Sequence, residues 1–413
     1  MGNDSHINMI FVTFGPISSF HYHTTYWADY LTQKKIDFKI YDCTPLMAKY
    51  NFATPVVPDP LNDIELANIE TIKSYSYFES LLKELDKEKT LIIVHPRYEY
   101  LTYRIYRLIS EHKLRYCVYN MTGWPSINES TLDSHMKLCY KLTLKNLIAA
   151  ISTCKSKKDI LRVGADLFTH IPRKLLGINS ANYVLISGTD SLNWNFNFPI
   201  SKKTKYILGH CRDYDQYLKS IENPINVKEK QIAYISANLF HDVYLTKDPA
   251  YVKIMRPELY YKSLKKLFHI LEKKGYTIIV AAHPRESLSE LKQHLNEWEV
   301  ILGDTNNLIR ESKYSIQLAS ASTAMSLLHE RPFIMITSDS IIDTKERYYG
   351  MLVAYSNSFG KKLLNIDHLT DDIELDEYLT ADQILVEKYI SSRLKVPGSP
   401  KLPLCQILLN NIW

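Results

Sequence analysis

Thr277-Ile278-Ile279-Val280-Ala281-Ala282-His283-Pro284-Arg285-Glu286 is the stretch on which the fold turns. Its apolar run is too short for a buried helix, and it does not alternate with polar residues. It therefore reads as a strand covered on both faces, the mark of a parallel sheet. Upstream, residues 258–274 repeat apolar side chains with a helical period, and residues 286–298 do so again downstream. A helix, a doubly buried strand and another helix make a unit of α/β structure.

Working outward, the same alternation fills the chain. In the second half, strands are expected at 232–235, 277–281, 300–302, 314–318 and 333–336, with further helices at 306–312 and 323–330. In the first half, strands are expected at 9–14, 38–41, 90–94, 116–119, 183–187 and 206–208, with helices at 24–34, 98–112, 133–152 and 158–168. Two successive units of this kind predict an α/β chain of two Rossmann-like domains facing a cleft. The polar segment 221–230, with Asn223-Pro224, is the natural break. The expected division is 1–222, 223–380 and a helical segment 381–413 that crosses back to the first domain.

Composition narrows the functional classes. The chain has 413 residues, too many for one core, with 46% hydrophobic and 23% charged residues, which predicts an ordered globular protein. A net charge of +5 with both signs interspersed gives no basic stripe, so no nucleic-acid partner is expected. The six cysteines show no CxxC pair and no nearby histidine spacing, which argues against zinc and against a disulfide framework. The start of the chain has no basic segment followed by a long apolar one, and no run reaches the ~20 apolar residues that span a bilayer. A cytoplasmic protein is the expectation.

Ligands of parallel α/β sheets bind at the carboxyl ends of the strands, so the loops there hold the candidate chemistry. His283, Pro284 and Arg285 follow one strand and are expected directly before a helix. There His283 can hydrogen-bond a phosphate or protonate a departing phosphate oxygen, and Arg285 can add a charge-assisted bond. Ser320-Ala321-Ser322-Thr323 follows the strand at 314–318. One hydroxyl would suffice for a helix cap, so Ser320, Ser322 and Thr323 together point to an anion. In the first half, His21 and His23 follow the first strand and are candidate bases, as is Asp242 in the loop after the strand at 232–235; His241 beside it is a further cleft candidate. A second His-Pro-Arg, at 95–97, follows a strand as well and reads as a simple turn or, less readily, as an acceptor-binding loop. Asp213 and Asp215 lie near the expected hinge. The Gx4GK[ST], GxGxxG, HExxH and GxSxG signatures are absent, as is a metal-holding DxD pair, so no cofactor and no metal are expected.

Taken together, His283-Pro284 and Ser320-Ala321-Ser322-Thr323 resemble the HP and Ser/Thr motifs of bacterial sialyltransferase-like enzymes with the GT-B fold. The phrases KTKYILGHCRDYDQYL (203–218) and YYKSLKKLFHILEKKGYTIIVAAHPRE (260–286) are similar to bacterial surface-polysaccharide biosynthesis proteins. The resemblance implies an inverting, metal-independent glycosyltransferase that moves a nonulosonic acid from a CMP-activated donor to a glycan or glycolipid acceptor. It implies that the first domain faces the acceptor and the second binds the nucleotide sugar. His283, Pro284, Arg285, Ser320, Ser322 and Thr323 would hold the donor, and contact with the inner membrane face would follow. The family's [DE][DE]G triplet, which supplies the base, has no match here. An isomerase resembling UDP-GlcNAc 2-epimerase is an alternative, although its expected Ser-Gly-Gly turn reads Ser-Ala-Ser. A CDP-polyol phosphotransferase is another, and a non-catalytic binding protein a third.

Overall fold

The computed structural model describes residues 7–13, 27–47, 67–120, 168, 171–193, 198–241, 245–246, 249–283, 286–345 and 348–413. They form two compact units. The first holds the described residues up to Gly209 together with Pro403–Trp413, and the second holds His210–Leu402.

The first unit is built on seven strands: β1 (Asn8–Thr13), β2 (Asp37–Asp42), β3 (Ile69–Thr71), β4 (Thr90–Val94), β5 (Arg115–Asn120), β6 (Tyr183–Ile186) and β7 (Lys205–Leu208). Their order in the sheet is β3-β2-β1-β4-β5-β6-β7, and every pairing is parallel. The central strands β1 and β4 are buried almost from end to end. The second unit has six: β8 (Lys228–Ile235), β9 (Thr277–Ala282), β10 (Glu299–Leu302), β11 (Ser312–Gln317), β12 (Phe333–Thr337) and β13 (Leu363–Asn365). These run β10-β9-β8-β11-β12-β13, again all parallel. Both sheets follow the doubly wound order in which the chain starts in the middle, moves to one edge, and returns to build the other. The expected fold class, α/β with two Rossmann-like domains, is what the sheets show.

Helix Pro257–Lys273 illustrates why the helices pack as they do. Proline at its start fixes a helical φ without losing a useful donor. Tyr260, Tyr261, Leu264, Leu267, Phe268 and Leu271 recur at three- and four-residue spacing and are buried. Phe268 meets Tyr234 of β8 and Trp298 edge-on, at 5.4 and 5.0 Å between ring centroids.

The structure places the junction at Gly209/His210, earlier than the expected 222/223. The reason is helix Arg212–Ser220: its Tyr217 ring packs 5.1 Å from His329, and the Gln216 carbonyl accepts from Asn306, both in the second unit. The expected crossing segment also divides. Gln383–Tyr389 and Ile390–Leu394 stay with the second unit. Helix Leu404–Ile412 belongs to the first, where Lys205 Nζ donates to the Asn411 carbonyl at 2.8 Å and Arg115 lies over the Trp413 ring.

Candidate nucleotide-binding site of the second domain

In the second sheet the order of strand addition reverses between β8 and β11. These neighbours send their following helices to opposite faces, which opens a crevice at their carboxyl ends. Register places three loops at that edge. Ile235 of β8 pairs with Ala281 of β9 and with Gln317 of β11, and the Ser236 amide donates to the Ala281 carbonyl at 3.0 Å. The loops beginning at Ser236, His283 and Leu318 thus leave the sheet at one level. With strands about 4.8 Å apart, the outer two are separated by about 10 Å.

In the β8 loop, Asn238 adopts a positive φ of 53°, a conformation asparagine tolerates better than most residues. It is only 3% exposed, and its Oδ1 has no hydrogen-bond partner among the described residues. The following Leu239 carbonyl accepts from Tyr251 at 3.1 Å, which anchors the turn.

The β9 loop differs from the expectation in one respect. The helix begins at Leu288 with Ser287 as its cap, where the sequence suggested Glu286. Ser287 Oγ accepts from the Glu290 amide at 3.4 Å, a bond that fits an N-cap serine. Glu286 instead folds back onto the His283 turn. Its amide donates to the His283 carbonyl at 2.9 Å, and its Oε2 accepts from the His283 amide at 3.2 Å. Ser236 of the β8 loop is among the groups that favour the charged form of the same carboxyl. Burial pushes the Glu286 carboxyl above its ordinary pKa, although Ser236, the His283 amide and His241 each pull it down. His283 is half-buried at the head of this turn. His241 pairs with Glu290 at 2.8 Å, and both side chains are about half exposed.

The β11 loop brings the hydroxyls together. Ser322 donates to Ser320 Oγ through its hydroxyl at 2.9 Å and its amide at 3.3 Å. Ser322 precedes helix Thr323–Leu328 without capping it through its side chain. Ser320 and Ser322 are half-buried, and Thr323 is fully buried with an Oγ1 that has no partner among the described residues. Below them runs a buried polar seam. Ser326 Oγ lies 3.2 Å from Ser315 Oγ and 3.4 Å from Gln317 Nε2, while Gln317 Oε1 is unpartnered among the described residues. Deeper in the sheet, Gln231 donates to Ser312 at 3.0 Å. At the far end of the helix, His329 Nε2 meets Asn306 Oδ1 at 2.9 Å. Burial, and then the charges of Arg310 and Arg331, push its pKa down to about 4.

Of the residues expected at the site, His283, Ser320, Ser322 and Thr323 lie at this edge. Pro284, Arg285, His21, His23 and Asp242 fall outside the described residues. Sequence reasoning missed Glu286, Asn238 and Gln317. In the first unit, His95-Pro96-Arg97 is a turn whose carbonyls are engaged. Pro96 accepts from Tyr106 and Arg97 from Thr102, each at 2.5 Å. His210 is fully buried with its ring nitrogens 2.9 and 2.8 Å from the Cys211 and Leu402 carbonyls. Asp213 and Asp215 sit in the first turn of the helix that follows it. No helix among the described residues is long and apolar enough to cross a membrane.

No protein-family model matches the chain, and no curated protein matches it. Solved structures of similar shape include CalG4, the calicheamicin glycosyltransferase, at 10% identity over 98% of this chain and 94% of that one, with a TM-score of 0.46. S. aureus MnaA in a co-structure with UDP has 10% identity over 98% and 96% of the chains, also with a TM-score of 0.46. The glycotransferase of kitacinnamycin has 11% identity over 99% of both chains, with a TM-score of 0.45.

Proposed function

We propose that the chain is a GT-B-type, inverting glycosyltransferase that takes a nonulosonic acid from a CMP-activated donor and passes it to a surface-glycan acceptor without a metal. The observation that carries this reading is the edge of the second sheet. A histidine turn and a hydroxyl loop leave the strands on either side of β8 at one level, beside the crevice between β8 and β11. A phosphate over the end of β8 would lie between them.

The chemistry then follows from charge. An acceptor oxygen attacks the anomeric carbon, its proton passes to a base, and the bond from that carbon to the phosphate oxygen breaks. The leaving phosphate gains negative charge, and the Ser320 hydroxyl, oriented by the bond it accepts from Ser322, would meet it as a donor, with Ser322 and Thr323 holding the loop in place behind it. His283 would hydrogen-bond or protonate the same group. His21, His23 and Asp242 stay the candidates for the base. Pro284 would stiffen the His283 turn, and Arg285 would add positive charge. A cytoplasmic setting with contact at the inner membrane face belongs to the same reading.

The test is a thermal-shift screen with CMP, CDP, UDP and GDP on the wild type and on His283→Ala. Binding to the folded state alone raises the melting point by mass action. Stabilisation by CMP that is lost in the variant supports the proposal. A UDP response without a CMP response overturns the CMP donor and favours a UDP-sugar transferase or an epimerase; a CDP-only response favours the CDP-polyol phosphotransferase.

A further inference from the structure

We propose that Arg173, held over the Tyr98 ring in the first unit, anchors a separate binding site for an acidic sugar. Its guanidinium takes the carboxylate or phosphate, and the rings of Tyr100, Tyr103 and Phe168 carry the sugar ring. The anion site stands on its own residues; that its sugar belongs to the acceptor rests on the glycosyltransferase reading above.

Tyr98 and Tyr100 lie in the loop after β4. In the first sheet the order of strand addition reverses between β1 and β4, and ligands of such sheets bind at the carboxyl edge there. The segment 171–179 is fixed beside this loop. Tyr116 donates to the Asn179 carbonyl at 2.6 Å, and the Asn179 amide donates to Ser110 Oγ at 2.9 Å. Within that segment the turn Arg173–Leu176 holds the Arg173 guanidinium carbon 5.2 Å from the Tyr98 ring centroid.

That cation lacks a counter-charge. It is half-buried, and burial pulls it below its ordinary pKa. The groups facing it are the phenols of Tyr98, Tyr116 and Tyr106, with no carboxylate among them. A guanidinium carries five donors, yet among the described residues no hydrogen bond or ion pair engages Arg173 through them. A ring face offsets only part of the lost hydration. Two of the phenols are spent, Tyr106 on the Pro96 carbonyl and Tyr116 on that of Asn179. The Tyr98 hydroxyl, on a side chain that is 0% exposed, has no partner among the described residues. What a cation and a donor in this state lack is an oxyanion, and the planar fork of arginine suits a carboxylate or phosphate bidentately. Aromatic rings lead outward from there. Phe168 lies 6.4 Å from Tyr98, 4.8 Å from Tyr103 and 5.4 Å from Tyr100 between ring centroids, and Tyr100 is 46% exposed. An apolar face beside one unpaired cation fits a ring with C–H faces and a single anionic substituent better than it fits a bare ion.

Calorimetry with methyl glucoside, methyl glucuronide, glucose 6-phosphate and methyl N-acetylneuraminide tests the assignment, with CMP titrated in parallel. The wild type should bind at least one acidic sugar roughly tenfold more tightly than the neutral glucoside. Preference for the glucuronide or neuraminide identifies a carboxylate sugar, and preference for glucose 6-phosphate a phosphorylated one. Arg173→Gln should abolish the preference, and Arg173→Lys should keep part of it, because a point charge lacks the fork. Tyr98→Phe should reduce it roughly threefold to tenfold, whereas Tyr100→Ala should weaken acidic and neutral sugars alike. Since Arg173 has no acceptor to lose, Arg173→Gln should leave the melting point unchanged or raised. The absence of any acid preference in the wild type, its survival in Arg173→Gln, or a melting point that falls in that variant overturns the site. Where CMP still binds, such a result leaves the reading of the second unit standing. An acid preference that depends on Arg173, without CMP binding, keeps this site and overturns the CMP donor.

Discussion

Acidification from about pH 7.5 to about pH 4.5 is expected to cost the second unit about 2 kcal/mol through His329 alone. The ring is half-buried between helices, 2.9 Å from Asn306 Oδ1 and 3.4 Å from Ser220 Oγ. Burial, with Arg310 and Arg331 nearby, holds its pKa at about 4. In the unfolded chain the same ring titrates near its ordinary value of about 6.5. Between those values the unfolded state binds a proton and the folded state does not, so stability falls as the pH drops through that window and is flat above it. Each unit inside the window is worth up to about 1.4 kcal/mol, and about two units are crossed by pH 4.5, giving an upper figure of about 2.7. Partial exposure of the ring lowers this to about 2 kcal/mol. The assay is urea unfolding at half-unit pH steps on the wild type and on His329→Gln, which cannot titrate but can still bond Asn306. The variant's profile should be flatter across the window, with the two curves converging toward low pH. Parallel profiles would refute the argument that burial keeps this ring neutral. His329 ends the turn after helix Thr323–Leu328, so the same loss would loosen the element that carries the hydroxyl loop.

Other outcomes follow from the packing. Gly360→Ala should cost about 2–4 kcal/mol in denaturant unfolding, because φ there is 61° and the new Cβ would lie 2.9 Å from Asp382 Cβ, the residue capping helix Gln383–Tyr389. Gly177→Ala, with a φ of 71° but open space around it, should cost only about 1 kcal/mol; equal losses at the two sites would contradict this. Ser326→Ala should cost about 1–3 kcal/mol, since it strands the Ser315 hydroxyl and Gln317 amide in the buried seam. Adding Ser315→Ala should recover part of that loss, and a strictly additive double variant would argue against the seam as a coupled network.

The parts of the fold legible in sequence were those whose burial leaves a local trace. Thr90–Val94 and Thr277–Ala282 are apolar through most of their length because both faces are covered. The edge strands Ile69–Thr71 and Leu363–Asn365 were not visible: each has three residues and is mostly half-exposed, so no apolar run marks it. The domain junction was misplaced because Asn223-Pro224 looks like a linker, whereas helix Arg212–Ser220 is fixed by partners about a hundred residues away in sequence. Gly209 held a local hint, since a Cβ there would lie 2.8 Å from Leu404 Cδ1, but nothing in the sequence reveals that neighbour. At the site, the serines after β11 stood out because three hydroxyls exceed the needs of a cap. Glu286 did not, since a glutamate after His-Pro-Arg reads as the first turn of a helix. It folds back instead onto the His283 amide and carbonyl, a local turn that its sequence does not mark.

Hydrogen–deuterium exchange with and without CMP tests the central claim most directly, that the nucleotide sits at the carboxyl edge of the second sheet. Protection on binding should concentrate in residues 236–241, 283–287 and 318–326, on either side of the β8–β11 reversal. Protection confined to the first unit, in residues 95–102 after β4, with those three loops unchanged, would contradict the account.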